Sequence, residues 1–242
     1  MKNINYYSIE FKNMGRLVVN TRSKLFLDSK NLLYKIFNDN DVNKLKIKSK
    51  KIELFSNIRK SYINSPKSKI TEHNIFRGYT SKYINGTCLS ELDQLQFTKA
   101  LLETSKRLSD IHELKENIVV GDMHFKNVIV DKNLKPHFID VDSYGIDKYE
   151  SDDIPLELYI YCKIMNYKIE KNQDYDRLSF VLSTFKTIFK DNLINVSPMD
   201  YKFASKKYSF LDNEKIESLY LKLRSEHSSL PDVPYIYELT KE

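Results

Sequence analysis

Four oxygen-donor side chains crowd into one stretch of the chain, VVGDMHFKNVIVDKNLKPHFIDVDSYGID at residues 119 to 147. Asp122, Asn127, Asp140 and Asp142 stand beside short runs of β-branched and aromatic residues, where strands end. Asp and Asn frequently occupy such places only because their side chains close turns. Taken together, three carboxylates and a carboxamide also offer hard oxygen ligands for a divalent cation and a base that can take a proton from a hydroxyl. Soft-metal chemistry has no such support, since Cys88 and Cys162 lie far apart and outside any C-x-x-C spacing.

The elements that must position these groups follow from periodicity. RLVVN, KLFLD and LLYKIF are short runs separated by TRSK and SKN, which predicts three antiparallel strands opening the fold. NDVNKLKIKSKKIELFSNIRKSY then places Leu45, Ile52, Phe55 and Ile58 near helical spacing, so a helix should cover that sheet. YTSKYI reads as a further strand, followed by the turn formers Asn85 and Gly86. Beyond it the pattern becomes helical. QFTKALLETSKRLSDIHELK carries a stripe through Phe97, Ala100, Leu101, Thr104, Leu108 and Ile111, and DRLSFVLSTFKTIF carries another through Leu178, Val181, Leu182, Phe185 and Phe189. NIVV, NVIVD and HFID are too short for helices and predict small strands, whereas NEKIESLYLKLRSEH and VPYIYELTKE predict helices. No repeat or low-complexity linker interrupts this order, and the fold class is α+β.

GDMHFKN has the form G-D-x-H-x-x-N, and FIDVDSYG supplies an Asp thirteen residues beyond that Asn. With the element order above, the chain resembles kinase-like phosphotransferases over nearly its whole length. The resemblance implies a two-lobed fold, with a small antiparallel-sheet lobe at about residues 1–84 and a mainly helical lobe at about 85–242, meeting near Tyr83 to Gly86 with ATP in the cleft. Phosphoryl transfer depends on positioning and charge neutralisation, and the resemblance distributes those roles. Asp122 falls where the family has its catalytic Asp, Asn127 and Asp140 fall where it has its Mg²⁺ ligands, and Lys35 resembles the Lys that grips the α- and β-phosphates. Glu53 becomes the expected ion-pair partner of Lys35, while the backbone C=O of Lys82 and N–H of Ile84 would bond the adenine edge. Asp176 matches the helix Asp that braces the catalytic loop, His124 would orient that loop, and Asp142 would support the metal site without binding it. His112 is expected to pack or cap.

Departures from the family pattern matter as well. Only Gly15, in NMGRLVV, lies where a Gly-rich loop would cover phosphates, and Val120 and Gly121 replace the His and Arg that precede the Asp in many protein kinases. IDVDSY resembles a group of bacterial protein-kinase-like enzymes, so the leading expectation is transfer from Mg²⁺-ATP to a protein Ser or Thr. The alternatives are a small-molecule kinase of the aminoglycoside or choline type, for which Asp147, Glu150, Asp152, Asp153 and Glu157 could neutralise a cation, and a pseudokinase that serves as an interaction module.

The composition restricts partners. Among 242 residues, 39 Lys and Arg against 33 Asp and Glu give a formal charge of +6, spread along the chain. The densest run, KLKIKSKK at 44 to 51, alternates with apolar residues as a solvated helix face does, so nucleic acid is not expected. No segment has the uninterrupted apolar length of a membrane span, so no membrane partner is expected and the chain reads as soluble, unexported and cytoplasmic. Nothing in the sequence indicates an oligomeric state.

Overall fold

A computed structural model describes residues 1–19, 22–197, 208, 210–225 and 230–241. The chain divides into two compact units, one of residues 1–85 with 137–142 and one of residues 86–136 with 143–242.

The first unit is built on a six-stranded sheet in the order β1-β5-β6-β4-β3-β2. The expected strands are present as β2 (Gly15–Val19), β3 (Ser23–Leu27), β4 (Leu32–Phe37) and β6 (Ile75–Lys82). Two others were not foreseen: β1 (Lys2–Asn5) opens the chain, and β5 (Ser68–Glu72) precedes β6. β1 runs parallel to β5, so the sheet is mixed and not wholly antiparallel. Helix α1 (Val42–Phe55) starts where the Asp41 carboxylate accepts the N–H groups of Asn43 and Lys44, and it buries Leu45, Ile52 and Phe55. Ile58 is also buried, just beyond the helix. The lysine-rich run lies on α1, yet it is not simply a solvated face, because Lys51 is fully buried.

The second unit is mainly helical. β7 (Gly86–Cys88) pairs antiparallel with β8 (Val128–Asp131), and the chain passes into the first unit along β9 (Pro136–Phe138). Helix α2 (Gln94–His112) is capped by Asp93, and α4 (Gln173–Phe189) by Asn172. Between them in sequence lies α3 (Leu156–Ile164), which was not foreseen because LELYIYCKI is apolar nearly all round. Phe125 joins α2 to α4, its ring centroid standing 5.9 Å from Phe97 and 5.3 Å from Phe180. Helix α5 (Asn213–Arg224) follows. Two expectations fail here. VPYIYELTKE forms only a 3-10 turn, Ile236–Leu239, and NIVV forms an isolated bridge between Val119 and Gly145 in place of a strand. No helix among the described residues is long and apolar enough to cross a membrane.

Candidate active site

In the first unit the chemistry gathers around Lys35. On β4 this residue stands directly opposite Tyr79 of β6, so both side chains leave the same face of the sheet. The segment 137–142 returns to this unit along residues 61–64, with the Phe138 N–H donating to Tyr62 O at 2.8 Å and the Asn64 N–H donating to Phe138 O at 2.9 Å. It thereby delivers two carboxylates to one ammonium. Lys35 Nζ donates to Asp140 Oδ1 at 2.6 Å and to Asp142 Oδ1 at 2.7 Å. Asp142 also accepts from the Tyr79 hydroxyl at 2.8 Å and lies 3.4 Å from Lys48 Nζ of α1. Lys48 and Lys35 both lie over the Phe37 ring. Burial works against the charge on Lys35, but Asp142 and Asp140 outweigh it and raise its pKa. Burial likewise opposes ionisation of Asp142, and Lys35 and Lys48 outweigh it in turn, leaving the pKa of Asp142 lowered. Asp140 itself sits at φ +64, a left-handed conformation that Asp tolerates better than most residues.

The expected partner of Lys35 is therefore wrong. Glu53 accepts from Lys69 of β5 at 3.1 Å, and the place beside Lys35 goes to Asp142 and Asp140. The reason is helical phase. Five residues along an α-helix turn a side chain by roughly 140°, so with Lys48 directed at Asp142, Glu53 is carried away toward β5. The adenine-edge groups lie at and just past the end of β6. Lys82 O already accepts from Asn64 Nδ2 at 3.1 Å, and Ile84 is half-buried outside any element. Gly15 begins β2 opposite Leu27, at the end of the β2–β3 hairpin away from its turn, so it covers no loop there. Residues 20 and 21 of that turn lie outside the described residues.

In the second unit the chemistry is a loop held from one helix face. Gln173, Asp176 and Ser179 of α4 are spaced by three and so share one side of the helix. Gln173 Nε2 donates to Ile118 O at 3.2 Å, Asp176 accepts the N–H groups of Val120 and Gly121 at 2.6 and 2.7 Å, and Ser179 Oγ donates to Met123 O at 2.6 Å. His112, at the end of α2, bonds Asp176 at 3.1 Å and Tyr235 at 2.8 Å, extending the brace beyond simple packing. The backbone so fixed carries Asp122. Asn127 Nδ2 donates to its carboxylate at 3.1 Å and to its backbone O at 3.0 Å, and His124 Nε2 lies 3.4 Å from the same carboxylate. His124 also turns the loop through its backbone, donating to Asp122 O at 3.0 Å and accepting from Asn127 N–H at 2.9 Å. Gly121 has φ +71, and a Cβ there would meet Ser151 Cβ at 2.3 Å, so the turn before Asp122 needs glycine.

Asp122 and His124 open into a pocket of about 560 Å³, within the range of small-ligand sites. Lys126, Lys186, Lys190 and Glu157 also line it. Of the five acidic residues that could have formed a cation site, only Glu157 is among its lining residues, and Lys186 forms an ion pair with it.

The residues fit a hard cation by their atoms. Among the described residues no group of three or more His, Cys, Asp or Glu side chains could cage a metal ion. Mg²⁺ asks for less, because it retains waters and substrate phosphates and takes only one or two protein oxygens. Asn127 spends its amide nitrogen on Asp122, so its oxygen is the atom it can offer, and the Asp140 side chain is 41% exposed. Sequence reasoning missed Tyr79, Lys48, Gln173 and Ser179 altogether. The polar residues spaced by three in QDYDRLS, beside the apolar stripe of the same helix, were the available signal for the last two. No protein-family model matches the chain, and no curated protein matches it.

Proposed function

We propose that this chain has a two-lobed, protein-kinase-like fold and is a Mg²⁺- and ATP-dependent phosphotransferase whose acceptor is a protein Ser or Thr hydroxyl. The observation that carries the reading is the braced loop. Three side chains of α4 hold its backbone, and Asn127 and His124 hold the Asp122 carboxylate, which lines the pocket. Such a carboxylate is a positioned base. The acceptor oxygen attacks the γ-phosphorus, its proton passes to Asp122, and the bond from that phosphorus to the ADP oxygen breaks. Lys35, charged and fixed by Asp140 and Asp142, supplies the cation for the α- and β-phosphates. Asn127 and Asp140 would each give Mg²⁺ one oxygen, and the metal would neutralise phosphate charge. A small-molecule acceptor is the second reading, favoured by the size of the pocket at Asp122.

Incubation with γ-labelled ATP and Mg²⁺, using protein substrates and a panel of small alcohols as acceptors, tests the proposal. Label on protein that vanishes in Asp122→Asn is the expected result. Label on small alcohols alone replaces the leading reading with the second, and no transfer in any arm overturns both.

A further inference from the structure

The pocket at Asp122 differs in charge from one suited to a cationic alcohol. Burying an ammonium requires carboxylates to neutralise it, and apart from Asp122 the pocket offers only Glu157, whose pKa is lowered, against the pull of burial, by its bond from Lys186. With that pair internally neutral, Lys126 and Lys190 remain, and neither forms an ion pair among the described residues. They come from different elements: Lys126 from the loop between His124 and Asn127, and Lys190 from the C-terminal end of α4, in a left-handed conformation at φ 62. The lining also has an apolar part in Phe125, Ile154 and Leu156, and Leu156 is 66% exposed.

We infer that this pocket is the acceptor site, and that it takes a Ser or Thr hydroxyl within a peptide segment that carries carboxylates and an apolar neighbour. The inference rests on the phosphotransferase reading for the fate of the hydroxyl, but its charge preference is a property of binding alone. Lys126 and Lys190 give the segment its anionic anchors, the apolar wall receives a side chain, and Asp122 receives the hydroxyl. A cationic alcohol meets instead two ammonium groups against the single carboxylate of Asp122.

Fluorescence anisotropy with labelled Ser peptides flanked by Glu, by Ala or by Lys measures the preference directly, and γ-labelled ATP then reports transfer to the same peptides. The Glu-flanked peptide is expected to bind most tightly, and to weaken as ionic strength rises through the range where exposed charges are screened. Lys126→Gln and Lys190→Asn should each weaken it by about two- to fivefold, the scale of an exposed ion pair, and leave the Ala-flanked peptide unaffected. Asn is chosen at 190 because it tolerates the left-handed backbone. Equal binding of all three peptides, preference for the Lys-flanked one, or competition by choline or an aminoglycoside would overturn the inference. Tight binding of the Glu-flanked peptide without any transfer would leave the pocket's preference for acidic peptides standing and overturn the phosphotransferase reading.

Discussion

Asp142 is 3% exposed and accepts bonds from Lys35 and Tyr79 while facing Lys48, so Asp142→Asn would leave two ammonium groups short of their nearest buried anion. Removing one partner of a buried pair costs about 3–5 kcal/mol. Because the pKa of Asp142 is held below its unfolded value of about 3.9, its contribution is present above that value and is lost as pH falls through the lower folded value. Urea unfolding across the acid range should therefore show the variant less stable than the wild type near neutrality, with the gap closing below about pH 4. A gap that stays constant down to pH 2 would remove ionised Asp142 from this role. Asp122 should behave oppositely. In Asp122→Asn an amide oxygen can still accept from Asn127, so folding should be unchanged while transfer falls by roughly two to four orders of magnitude, the usual contribution of a positioned base. Much of this was legible in the chain. Lys35, Asp122, Asn127 and Asp140 could be singled out by the kinase-like resemblance of their motifs, but which acid meets Lys35 depends on helix phase and on where residues 137–142 return, and neither is written in local sequence.

Helix α4 does more than pack, since its polar line of Gln173, Asp176 and Ser179 is spent on the backbone of residues 118 to 123. Asp176 is the centre of that line and is 1% exposed. Asp176→Ala would orphan the N–H groups of Val120 and Gly121 and remove the partner of His112 Nε2, and each buried donor left unpaired costs about 1–3 kcal/mol. Thermal or urea unfolding should show that loss, and hydrogen exchange at Val120 and Gly121 should accelerate more than at the α2 core. Unchanged exchange at those two amides would mean that α4 does not hold the loop. Long apolar stripes made α2 and α4 readable, because a buried face repeats every three or four residues over several turns. β1 and β5 were not readable. KNIN and SKITE are short and mostly polar; β1 finds its partner in the distant β5, and β5 forms a local hairpin with β6 whose turn, His73 and Asn74, lacks the usual glycine signal.

At the scale of the whole molecule, the boundary at Asn85 and Gly86 coincides with turn residues that the sequence displays, but the return of residues 137–142 to the first unit does not show in composition. That return has an energetic consequence, because Lys35 is only 7% exposed and both of its carboxylate partners arrive with the late segment. A fragment of residues 1–85 keeps the six strands and α1 yet loses Asp140 and Asp142, along with the backbone bonds of Phe138 to Tyr62 and Asn64. Its ammonium then loses both anions while the Phe37 ring still lies beside it, so water must reach it in their place or it must lose its proton, and either change loosens the packing of that face. The fragment is therefore expected to lack a cooperative urea transition by circular dichroism. Lys35→Met in the same fragment should recover part of that transition, since it replaces the stranded charge with an apolar side chain of similar length. A wild-type fragment that unfolds cooperatively and no less stably than its Lys35→Met counterpart would show that the first unit does not depend on the carboxylates carried back to it.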